Sequence, residues 1–205
     1  MTARWDFWNG PDELDRRVKY AKAFLPEYQA NGDDTQRRIG AVETAFRAET
    51  QIELPPGYAS GWRPAAVNDA TANAGKLSNH LVANAGDKRD NVDGAFAWWC
   101  MRNTHVLESQ GVWLEHPSAT VLRAWKLAIA ERRDPTPWCH LQRTPPSSHA
   151  RVYFPDARSG AEWEAFLAAG GVAGMSFEAY KALNGDAPRQ RKAAKPSDDT
   201  EATDA

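Results

Sequence analysis

At 205 residues the chain has the length of one domain. Its 42% hydrophobic content with nine Trp supplies a core, while a mean hydropathy of -0.64 argues against a membrane protein. Lys+Arg 25 against Asp+Glu 27 leaves a formal net charge of -2, so there is no basic field to draw nucleic acid.

The opening Met-Thr-Ala-Arg-Trp-Asp lacks a basic region followed by an apolar run, so neither a secretory signal nor a membrane anchor is expected. From Asp12 to Leu25 the residues Leu14, Val18, Ala21 and Leu25 recur at three and four, which predicts a first helix that Pro26 should end. Asn31-Gly32-Asp33-Asp34 reads as a turn, and Ile39, Val42, Ala45 and Phe46 predict a second helix after it. Ile52 to Pro64, broken by Pro and Gly, suits a short strand leading into a loop. A third helix is expected from Asp93 to about Gln110, ended by Gly111. Val112-Trp113-Leu114 and Trp138-Cys139-His140-Leu141 read as strands, with a helix over Thr120 to Arg132 between them. Glu162 to Leu167 and Phe177 to Leu183 predict two closing helices around the Gly170-Gly171 break. Beyond Asp186 the large apolar residues vanish, so a disordered tail is expected at 186–205. Residues 1–50 are then the N-terminal helical part of the domain whose core spans 51–185.

Two cysteines, Cys100 and Cys139, make neither a disulfide framework nor a CxxC pair and fit reduced, buried thiols from a reducing cytoplasm. The segment Ser78-Asn79-His80-Leu81-Val82-Ala83-Asn84-Ala85-Gly86-Asp87 carries more chemistry. His80 and Asp87 offer an imidazole and a carboxylate, two ligand types that zinc takes in a tetrahedral shell with one open position. A third ligand is required, and His140 is the best candidate because a strand holds its side chain rigidly. His105, His116 and His149 rank below it, being set in a helix, a turn before Pro and a Ser-rich loop. Cys139, one residue away on the strand, should face the opposite side and pack.

Ser78 to Asp87 resembles the SxHxxGxAxD signature of zinc D-alanyl-D-alanine carboxypeptidases and related phage endolysin peptidases, and Trp138-Cys139-His140 resembles their downstream WxH element. Ser60-Gly61-Trp62-Arg63-Pro64-Ala65-Ala66-Val67-Asn68 is similar to their SGYRxxxxN segment. Trp62, Ala83 and Lys88 depart from the usual Tyr, Gly and apolar residue. The resemblance implies a small α+β domain with a mainly antiparallel sheet, Zn2+ held by His80, Asp87 and His140, Arg63 as a substrate-binding residue and Ser78 beside the ligand loop or substrate.

It also implies a metallopeptidase acting on the stem peptide of bacterial peptidoglycan, as a carboxypeptidase or an endolysin-type endopeptidase. A phage origin would account for the missing signal peptide, since lysis proteins can reach the cell wall through a separate pore. Family members carry an acid shortly before the last His, but Pro137 stands three residues before His140. Glu115 and Asp134 are the two candidates for the general base. A relative without catalysis, acting as a wall-binding or virion-structural module, is the alternative.

Overall fold

The structure, a computed structural model, describes residues 6–9, 15–71 and 74–184. The expected tail at 186–205, and residues 12–14 of the first expected helix, lie outside the described residues. The architecture is α+β. In chain order come α1 (Arg16–Lys19), a 3-10 turn (Ala21–Ala23), α2 (Pro26–Thr50), β1 (Tyr58–Ser60), α3 (Ala65–Ala70), a second 3-10 turn (Asn79–Val82), β2 (Ala85–Arg89), α4 (Ala95–Arg102) and α5 (Thr104–Ser109). There follow β3 (Trp113–Glu115), a wide π-type turn (Ser118–Leu122), α6 (Arg123–Glu131), β4 (Trp138–Gln142), β5 (Val152–Tyr153), α7 (Ala157–Ala168) and α8 (Phe177–Asn184).

The N-terminal third corrects the sequence reading. Pro26 begins α2 instead of ending a helix, because a proline in the first turn forfeits a donor that has no helical partner there. Asn31-Gly32-Asp33-Asp34 lies inside that helix: Gly32 is small so that the Trp8 ring can lie against the backbone, where a Cβ would overlap it. The expected apolar face of the first helix is not buried, since Val18 is 77% exposed and the helical part is one turn long. Ile39, Val42 and Phe46 do form the buried face of α2, and Gln51 ends it in the left-handed region at φ 60. The expected helix from Asp93 to Gln110 is broken at Asn103, whose Nδ2 donates to the Trp99 carbonyl.

The sheet has the order β1-β2-β4-β3-β5, antiparallel except for the β3–β5 pair. Alternation along paired strands sorts the side chains into two faces. Lys88, Cys139, Leu141 and Leu114 turn one way, and Asp87, His140, Gln142, Glu115 and Tyr153 the other. The first face packs on α2 and α4 in a core that includes Phe46, Phe96, Leu107, Leu114, Trp125, Cys139 and Leu141. Lys88 is buried on the first face, with Nζ 3.0 Å from Glu43 Oε2. Cys139 meets Cys100 there, as its place on the strand predicts, and burial pushes its thiol up. A smaller cluster of Phe7, Trp8, Trp62 and Ala83 lies behind the first motif. No described helix is long and apolar enough to cross a membrane.

His116, just after β3, is buried between the rings of Phe154 at 4.3 Å and Trp163 at 4.7 Å. Its Nδ1 accepts from the Ser118 backbone N–H at 3.1 Å, and burial pushes the imidazole down to about 4. An unfolded histidine takes up its proton near pH ~6.5, so between that pH and about 4 the unfolded chain binds a proton that the folded chain refuses. This contribution to stability is full above that window and falls as pH drops through it. His116→Asn keeps an acceptor for Ser118 but cannot titrate. Its denaturant-derived stability should fall less between pH 7 and 4.5 than that of the unaltered chain, by roughly 1–2 kcal/mol.

Candidate metal centre

Asp87 and His140 are directly opposed across the β2–β4 ladder, so their side chains rise together from the outward face. His140 Nδ1 lies 2.7 Å from Asp87 Oδ1. His80 arrives from the second 3-10 turn. Ser78 caps that turn by accepting from the His80 N–H, and Ala83 ends it at φ 58, a left-handed conformation that glycine takes more readily. Ala83 is the position that departs from the motif's usual Gly, and the conformation gives a reason for that preference.

The orientation of the His80 ring is set from behind. Its Nδ1–H donates to the Gly61 carbonyl at 2.7 Å, an oxygen that can only accept, so Nε2 carries the lone pair. That nitrogen lies 3.4 Å from Asp87 Oδ2, is buried, and has no hydrogen-bond partner among the described residues. Two lone pairs facing each other out of water repel unless a proton or a cation lies between them. The candidate ligand atoms of His80, Asp87 and His140 all lie within 4.8 Å of one another, and this group could hold a metal ion. Burial pushes His80 down and keeps it neutral, as a ligand must be. Burial opposes ionisation of Asp87, but the adjoining imidazoles outweigh it and hold the carboxyl well below the usual range. Burial also works against a charged His140, yet its bond to Asp87 and the charge of Glu115 raise it to about 9. Asp87 and His140 thus each favour the charged form of the other.

The group lies in a cleft of about 1010 Å³ that Arg63, Ser78, Glu115, Trp138, Gln142 and Tyr153 also line. Glu115 stands at the end of β3 on the same face as His140, and burial raises its carboxyl while the His140 charge pulls it down. Arg63 is half-buried behind Ser78, with Nη2 3.5 Å from its Oγ, and its buried Nε has no hydrogen-bond partner among the described residues. Burial pushes its guanidinium down, against the charges of Asp87 and Glu115.

The structure thus brings together His80, Asp87, His140, Arg63, Ser78 and Glu115 from the sequence reading. Asp134 is exposed in the connection before β4 and does not line the cleft. His105 and His149 are exposed, and His116 is buried elsewhere. Gln142, Tyr153, Asn79 and Arg123 also line the cleft and were not singled out, although the two-residue spacing of Gln142 from His140 places it on the same face. No protein-family model matches the chain, and neither curated proteins nor solved structures give a match.

Gly61 has no room for a side chain, since a Cβ there would overlap the Phe7 carbonyl. Gly61→Ala must move the backbone that carries the acceptor for His80. It should weaken metal binding by roughly 10- to 100-fold with all three ligands intact, as loss of an orienting partner does elsewhere. Competition titration against a chromophoric chelator measures this, and unchanged affinity would show that the Gly61 carbonyl does not aim His80.

Proposed function

We propose that the chain is a zinc-dependent peptidase of bacterial peptidoglycan, cutting within or at the end of the stem peptide. The observation that carries this reading is the convergence of His80 Nε2, Asp87 and His140 Nδ1 at one wall of a cleft, with Glu115 on the same sheet face. Two imidazoles and one carboxylate form a donor set suited to zinc, and three protein ligands leave a position for substrate or water. When bound, zinc supplies Lewis acidity toward a carbonyl oxygen and toward water, whose pKa it brings to ~7.

The chain's own residues supply the remainder. Glu115 is the carboxylate that takes the proton of an attacking water and returns it to the departing amine, and burial raises its carboxyl, which makes it a stronger proton acceptor. Asp134 has no such access, so Glu115 is the base in this proposal. The Arg63 fork, half-buried and with its Nε–H unused among the described residues, binds a peptide carbonyl or carboxylate. Tyr153, paired with Glu115 across β3 and β5, lines the cleft beside it.

The test combines metal analysis with hydrolysis of purified peptidoglycan for the unaltered chain, His140→Ala, Glu115→Gln and Asp134→Asn. The unaltered chain should carry about one zinc and release wall peptides. His140→Ala should lose both properties. Glu115→Gln should keep the metal and lose at least ~100-fold in rate, while Asp134→Asn retains activity. Zinc without cleavage would favour a wall-binding or virion-structural module, and a chain that binds no zinc would sink the ligand assignment itself.

A further inference from the structure

Gln142 follows His140 by two residues on β4, so both side chains rise from the same face. It is 5% exposed, and its amide is held from three sides. Nε2 donates to the Thr144 carbonyl at 2.6 Å, which fixes the other end as the acceptor. That oxygen accepts from the Tyr153 hydroxyl at 2.7 Å and from Asn79 Nδ2 at 3.0 Å. His140 Nε2 lies 3.4 Å from the same atom.

An amide oxygen only accepts, so a hydrogen of His140 belongs on Nε2. The opposing pull comes from Asp87, whose Oδ1 lies 2.7 Å from Nδ1 and by itself would keep a neutral imidazole protonated there. A proton at that nitrogen blocks it as a ligand. We infer that Gln142 is a positioning residue that holds His140 in the Nε2–H tautomer and leaves Nδ1 open to the metal. Through Asn79, next to His80, the same oxygen also ties the 3-10 turn of the first ligand to the strand of the third. One amide therefore aims both imidazoles. The inference rests on the reading of His80, Asp87 and His140 as metal ligands, and is independent of whether a peptide is cut.

The experiment compares zinc affinity in the unaltered full chain, Gln142→Leu and Gln142→Glu, with melting temperature as the control for folding. It also reads the His140 ring by 15N-edited NMR of the zinc-loaded protein. Leucine fills a similar volume without an acceptor and should weaken zinc by ~10- to 100-fold, while glutamate keeps an acceptor oxygen and should stay within a few-fold. In the unaltered loaded chain the spectrum should show a slowly exchanging proton on Nε2 of His140, which the leucine variant loses. Equal affinity in the leucine variant, or an equal loss in the glutamate variant, overturns the inference. So does a proton on Nδ1 with the metal on Nε2, a result that needs no variant to fold. If the unaltered chain binds no zinc, the metal-centre reading falls and takes this inference with it. Zinc binding with an unaffected leucine variant removes the inference alone.

Discussion

The pairing of Asp87 with His140 across β2 and β4 is the constraint on which the remaining chemistry depends. In an antiparallel pair, directly opposed residues share a face, and every second residue along each strand joins them. Fixing that one register sends Cys139 and Leu141 into the core and lines up Asp87, His140, Gln142 and Glu115 on the cleft. A slip of one residue would exchange the two sets, exposing core and burying charge. Core packing and the placement of Asp87 and His140 are thus secured by the same hydrogen-bond ladder.

His80, the remaining member of the trio, comes from irregular backbone and is secured differently. His80 is held by the Gly61 carbonyl, and Arg63 donates its backbone N–H to the His80 carbonyl at 3.1 Å. Trp62 lies between them, fully buried, with Nε1 bound to the Leu81 carbonyl at 3.0 Å and its ring against Phe24. From α2, Thr35 Oγ1 donates to the Ala83 carbonyl at 2.8 Å and Asn31 Nδ2 to the Val82 carbonyl at 3.0 Å. The small aromatic cluster is therefore the support that sets the first motif against the sheet. Replacing the motif's usual Tyr by Trp62 keeps an aromatic ring in that support and adds a donor that satisfies a turn carbonyl.

The legible parts of the sequence were those with a strong local period. The buried stripe of α2 and the aromatic runs at β3 and β4 were read from spacing alone, and the ligand trio from residue types together with motif order. What escaped was decided by contacts distant in sequence. β2, Ala-Gly-Asp-Lys-Arg, has no β-branched or aromatic residue and is a strand because β1 and β4 flank it. Asn31-Gly32-Asp33-Asp34 carries turn residues, yet Trp8 demands a bare backbone at Gly32, and Asp34 finds Arg37, Arg38 and Arg143 within ion-pair distance. Gln142 carries no recognisable signal by type, since its role comes from a parity that emerges only once the strand is assigned.

The same parity separates Glu115 from Asp134 in their access to the cleft. Pro137, three residues before His140, is of opposite parity to the ligand, is buried, and uses its carbonyl to accept the Asp90 backbone N–H at 3.1 Å. An acid at that position would have to leave the ladder to reach the cleft. Asp134 is farther still along an exposed connection. Glu115, though 25 residues from His140 in sequence, sits one strand over on the face that Asp87 and His140 share, where β3 pairs with β4 through Trp113 and Leu114. A neighbouring strand can therefore present a carboxylate beside His140, provided that the sheet register keeps both carboxylates on the side facing the cleft. In this chain it does, because the core residues Leu114 and Leu141, paired on the opposite face, fix β3 against β4.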